Sequence, residues 1–191
     1  MRVVFLGPPG SGKGTQAKIA GKRLGLPSFS TGDMLRKAVQ AGTPLGRQTR
    51  DVMAKGELVP DETVLALIRE AAASAEARSG FLLDGFPRTL PQAEGLEKML
   101  SERGQALDAV LNLVVPDEKL VSRLVSRGEG RADDRPETVR ERLRVYREKT
   151  EPLTGFYQRR GLLVSVDGVG EIPEVAERIA RALGPARQGV A

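Results

Sequence analysis

The chain has 191 residues, carries a formal net charge of +5 and contains neither cysteine nor histidine. That length suits one domain with a sizeable core, and the composition excludes disulfides, thiolate zinc sites and imidazole metal ligands. Any proton-transfer role falls to a carboxylate, lysine or tyrosine, no run is long and apolar enough for a membrane span, and no signal peptide is visible, so a cytoplasmic protein is expected.

The predicted elements begin with a strand, the apolar run ending at Leu6. It feeds directly into Gly7-Pro-Pro-Gly-Ser-Gly-Lys-Gly-Thr15. A strand running into a glycine loop with a lysine, then into a helical pattern, is a phosphate-binding device. Glycines let backbone N–H groups face a polyphosphate, and Lys13 adds a point charge. The general motif places Ser or Thr directly after the lysine; here Gly14 stands there and Thr15 follows.

The helix opened by this loop is expected to stop at Gly25. A weaker strand is predicted at Ser28–Phe29. Thr31 and Asp33 then mark a helix start, with Arg36 one turn on. Alone, these residues read as an ordinary cap with a surface arginine or as an anion site. Thr43-Pro44 reads as N-cap and N1 of a helix ended by Gly56. The connector Lys55–Pro60 reads as structural. Val64, Leu67, Ile68, Ala71 and Ala72 form the buried face of a further helix.

A second buried strand, Phe81–Leu83, ends in Asp84-Gly-Phe-Pro-Arg88. A carboxylate at a strand end beside a phosphate loop suits magnesium, Gly85 permits close backbone approach, and Arg88 offers a phosphate clamp. Thr89 caps a helix through Leu96 and Leu100. Strands are predicted at Val110–Val115 and Leu162–Val166. A helix carrying Leu120, Val121, Leu124 and Val125 places Arg123 and Arg127 on one face. Val139 and Leu143 lead a long helix that Pro152 would kink. Ile172–Leu183 closes the domain, and a disordered tail is expected at 185–191.

Ten arginines lie between Arg123 and Arg160. Arg123, Arg127, Arg131 and Arg142 read equally as a solvated basic face or as a clamp on a small polyanion. Aromatics are sparse and no nucleic-acid motif is present, so a nucleic-acid partner is not expected. Strands alternating with helices predict an α/β fold with a parallel sheet covered on both faces.

Together these segments closely resemble the adenylate kinases with a short lid. The resemblance spans Met1 to about Gly184 and rests on GPPGSGKGT at Gly7–Thr15, TGD-L-R at Thr31–Arg36, GFPRT--Q at Gly85–Gln92 and GRADDRPET-R-R at Gly130–Arg142. The Gly14-Thr15 ending matches the form usual in that family. The resemblance implies a three-layer P-loop fold around a central parallel five-stranded sheet. It also implies a single kinase domain at 1–184, with a helical AMP-binding insert near 30–59 and a short lid near 126–136.

The roles that follow are those the resemblance implies. Gly10, Ser11, Gly12, Lys13, Gly14 and Thr15 hold ATP phosphates, with Arg127 covering ATP and the Gly170 backbone beside its adenine. Thr31, Arg36, Glu57, Leu58, Val59, Gly85, Phe86, Pro87, Arg88 and Gln92 form the AMP site, Gln92 reading adenine. Lys13, Arg88, Arg123, Arg131 and Arg142 serve catalysis, the last two also reaching AMP. Asp84 orients the waters of Mg2+. The compact lid excludes a structural zinc. The implied reaction is Mg·ATP + AMP ⇌ 2 ADP in a monomer. Another nucleoside monophosphate as acceptor, or a nucleotide-binding switch without turnover, are the alternatives; the arginines and the GFPR segment argue against the switch.

Overall fold

The computed structural model describes residues 1–125 and 136–184. The lid expected near 126–136, apart from Pro136, and the tail at 185–191 lie outside the described residues. So do Arg127 and Arg131.

The elements run β1 (Arg2–Leu6), α1 (Lys13–Leu24), β2 (Ser28–Ser30), α2 (Thr31–Gln40), α3 (Pro44–Lys55), α4 (Asp61–Ala73), β3 (Phe81–Asp84), α5 (Leu90–Ser101), β4 (Ala109–Val114), α6 (Asp117–Val125), α7 (Pro136–Val145), α8 (Leu153–Arg159), β5 (Leu163–Asp167) and α9 (Ile172–Leu183). A short 3₁₀ turn, Ala75–Ala77, precedes β3. Among the described residues, five strands pair in parallel in the order β2-β3-β1-β4-β5. This is the expected α/β sheet.

Strand alternation divides the core. Val3, Phe5, Leu82 and Leu111 face Ala17 and Ala20 of α1 and Val175, Ile179 and Leu183 of α9. Val4, Leu6, Leu83 and Val110 face the other way, onto Val64 and Ile68 of α4, Leu96 and Met99 of α5, and Leu153, Phe156 and Tyr157 of α8. Successive side chains of a strand point to opposite faces, so strands buried on both sides read as continuous apolar runs.

The helix ends follow local chemistry. Gly25 ends α1 at φ 66° and Gly56 ends α3 at φ 80°, both left-handed. Thr43 caps α3 by accepting the Gly46 N–H at 3.1 Å. Before Pro152 the helical ladder is interrupted by a π turn while Glu151 and Pro152 keep right-handed helical dihedrals. The segment Tyr146–Thr150 is a π turn, and the Glu151 N–H donates to the Tyr146 carbonyl at 2.9 Å before α8 begins. Proline has no N–H with which to continue the ladder.

Strand β1 leads through α1 to the far edge at β2, and the chain then returns to fill the gap with β3 before crossing to β4. Beside β1 the connections therefore diverge, which opens a crevice at the carboxyl ends of the strands. There Asp84 pairs in register with both Phe5 and Ser30.

Candidate functional site

That crevice is a cleft of about 380 Å³. It is lined by the glycine loop, the N-terminus of α2, the segment after β3, and Arg142, Val145, Tyr146 and Thr150. A second chamber opens between α2, α3 and α5. Its walls hold Thr31, Arg36, Glu57, Leu58, Val59, Gly85, Arg88, Gln92 and Arg142, all expected from the sequence. Leu35, Met53 and Val64 complete its apolar wall. Pro87 lines the larger cleft, together with Gly10, Gly12, Lys13, Gly14 and Thr15.

The glycine loop delivers the N-terminus of α1 to the cleft. Gly12 is its left-handed N-cap at φ 91° and makes no side-chain cap bond. The first N–H groups of a helix have no partner within it, and with the helix dipole they favour an anion. Lys13 folds over the loop, donating to the Gly7 and Pro8 carbonyls at 2.6 and 2.8 Å and to Ser11 Oγ at 3.4 Å. Ser11 itself is buried and lies beneath the loop, away from the cleft lining.

The structure gives a physical reason for Gly14. A Cβ at this position would lie 3.1 Å from Asp84 Oδ2. The serine or threonine of the general motif would press on the Asp84 carboxylate, so glycine here leaves room for a carboxylate opposite the loop. Among the described residues no cluster of three or more carboxylates could hold a metal. Magnesium needs no such cage when it keeps its waters and binds phosphate oxygens beside one or two carboxylates, and Asp84 next to the loop fits that pattern.

At the start of α2, Ser30 accepts the Asp33 N–H at 3.4 Å. Arg36 folds back over the first turn and pairs with Asp33, while a Gly32 Cβ would meet Arg36 Nη2 at 3.0 Å. Lys18 also approaches Asp33, at 3.6 Å. Thr31 Oγ1 donates to the Gly85 carbonyl at 2.8 Å, and Arg88 Nε donates to the same oxygen at 2.8 Å. Gly85, at φ 74°, leaves space for both. Thr150 of the π turn donates to the Arg88 carbonyl at 2.8 Å, tying that turn to the loop after β3.

Gly56 does more than end α3. A Cβ on it would meet Arg142 Cγ and the Thr138 carbonyl at 3.0 Å each. Thr138 Oγ1 donates to the Ala54 carbonyl at 3.3 Å. The connector that residue patterns alone marked as structural thus seats α7 against α3 and brings Arg142 to both chambers. Burial, helped by the Glu151 carboxylate, pushes the Tyr146 phenol up to about 12, so it faces the cleft as a neutral hydroxyl.

Besides Ser11, three expected residues among those described line neither chamber. Phe86 is fully buried in the core. Arg123 lays both terminal nitrogens on the Gly168 carbonyl at 3.2 Å. Gly170 sits in the turn before α9, at φ 125°, where a Cβ would collide with Glu174 Oε2 at 2.5 Å.

The model of the adenylate kinase family matches residues 5–162. The chain is 52% identical to an adenylate kinase of Thermobifida fusca over 96% of its own length and 98% of the relative. The chain belongs to the adenylate kinase family. Relatives of the same name from Xanthomonas campestris and Xylella fastidiosa are 52% identical over 96% of the chain and their whole length. The matched region contains the phosphate loop and the Gly85–Arg88 segment, both of which line the crevice.

Proposed function

We propose that the protein transfers the terminal phosphoryl group of ATP to AMP, reversibly, giving two ADP. The observation that carries this is the pair of adjoining chambers. One is built on an anion-binding loop with Lys13, the other on Thr31, Arg36, Arg88 and Gln92, and Arg88 and Arg142 line both. A triphosphate on the loop and a monophosphate in the second chamber would meet between Lys13 and Arg88.

The acceptor is a phosphate monoester whose second ionisation lies near pH 6, so it is already an oxyanion at neutral pH. No side chain has to remove a proton from it. Catalysis then consists of in-line positioning and stabilisation of charge on the transferring group. The α1 N–H groups and Lys13 hold the donor phosphates. Arg36 exchanges Asp33 for the AMP phosphate, and Arg88 and Arg142 neutralise the charge shared between the two nucleotides. Arg123, Arg127 and Arg131 are assigned the same kind of role on the family resemblance. Mg2+ bound to the ATP phosphates would supply Lewis-acid charge neutralisation, with Asp84 orienting its waters. Residues 30–59 act as a flap over the acceptor and residues 126–136 as a lid over ATP, both excluding water as a rival acceptor. We place the protein in the cytoplasm as a monomer.

A coupled assay with AMP, GMP, CMP and UMP as acceptors tests the assignment. AMP is expected to be preferred by at least about 10²-fold in kcat/KM, because Gln92 can both donate to and accept from the adenine edge. Equal turnover of a pyrimidine monophosphate would overturn the choice of acceptor.

A further inference from the structure

Gln92 is only 2% exposed, and its side-chain amide is held at both ends. Its Oε1 accepts the Arg88 backbone N–H at 2.7 Å, and its Nε2 donates to Asp61 Oδ1 at 2.7 Å. A backbone N–H can only donate and an ionised carboxylate can only accept. One of the two amide orientations satisfies both partners. Turning the amide over would set NH₂ against N–H and C=O against the carboxylate, leaving buried polar groups without partners.

Asp61 is itself held in place. Thr89 Oγ1 donates to the same Oδ1 at 3.0 Å. Thr89 is also the N-cap of α5, accepting the Gln92 N–H at 3.2 Å. The first residue of α4 is thereby joined to the first turn of α5, and two side chains with one backbone N–H fix one amide.

We propose that Asp61 is a positioning residue that sets purine selectivity by locking the Gln92 amide. The proposal rests on Gln92 reading the acceptor base. A 6-aminopurine presents an N–H donor at its exocyclic nitrogen and an acceptor at N1. These match the remaining oxygen lone pair and the remaining N–H of the locked amide. A 6-oxopurine presents an acceptor at O6 and a donor at N1, the reverse order. A freely turning glutamine could serve either base, whereas the locked amide meets a 6-oxopurine with like against like. A site that leaves buried polar groups unpaired discriminates more strongly than one that differs only in shape.

Asp61→Asn tests this with little change of shape, because an amide at position 61 can donate as well as accept and so lets Gln92 turn over. The measurement is kcat/KM with AMP and with IMP for the wild-type protein, Asp61→Asn and Gln92→Leu, with thermal melts to establish folding. Asp61→Asn is expected to lower the AMP-to-IMP ratio by about tenfold, chiefly through better use of IMP. The Arg88 N–H still favours the original orientation and limits the effect. Equal losses on both acceptors in Asp61→Asn would mean a purely structural role and overturn the proposal. Gln92→Leu separates the two levels: an unchanged ratio there removes the base-reading role and the lock with it. A changed ratio in Gln92→Leu beside an unchanged ratio in Asp61→Asn removes the lock alone.

Discussion

Lys13→Ala is expected to lower the rate of phosphoryl transfer by about 10³-fold while the protein stays folded. Lys13 is the first residue of α1, and its ammonium is gathered over the loop by the Gly7 and Pro8 carbonyls. Lys13 and Gly7 line the cleft, so water can replace the lost donors at little cost. The charge cannot be replaced in this way, because a water dipole does not supply the unit positive charge that neutralises the transferring phosphate. Lys13→Arg is expected to rescue poorly, since a planar guanidinium is wider than the compact ammonium held between two carbonyls. Steady-state rates with Mg·ATP and AMP, beside a thermal melt, check both halves of the expectation. Near-normal turnover in Lys13→Ala would refute the role assigned to this residue.

The largest expected effect on stability comes from Gly46→Ala. A Cβ at Gly46 would stand 2.0 Å from the Ala38 carbonyl oxygen and 2.3 Å from its carbon. These are backbone atoms of α2 and cannot turn aside, so α2 and α3 would have to separate. Overpacking of this kind costs about 3 kcal/mol or more. For a chain of this size that corresponds to a fall in Tm of about 6–12 °C. Leu35 and Arg36 of α2 and Met53 of α3 line the second chamber, so KM for AMP should rise in the same variant. A melt matching the wild type would mean that the two helices do not approach so closely.

Much of this architecture is legible in the residues alone because it depends on local periodicity and on glycine. Buried parallel strands read as apolar runs, and the loop at Gly7–Thr15 announces itself by its glycines and its lysine. The helix ends at Gly25 and Gly56 follow from the need for a left-handed residue. The short β2 gives only a weak signal, since three residues offer no period to count.

What escapes such reading depends on distant approach. Gly46 looks like any early helical residue until α2 is seen against it. Gly14 looks like a departure from a motif until Asp84 is found 3.1 Å from its missing Cβ. Asp61 and Gln92 lie 31 residues apart and meet only because α4 and α5 bring their N-termini together. An acidic residue at a helix start has an ordinary explanation in the helix dipole, so nothing local marks Asp61 as a partner of the site. The π turn at Tyr146–Thr150 is signalled only by Pro152, which marks an irregular ladder but not its form.

The most direct test of the central claim follows the transferred group itself. The purified protein is given Mg·ATP labelled in its terminal phosphate, with and without AMP, and the products are separated during the first turnovers. One label is expected in newly formed ADP for each AMP consumed, and no consumption of ATP when AMP is absent. Label released as inorganic phosphate at the same rate with or without AMP would contradict that claim.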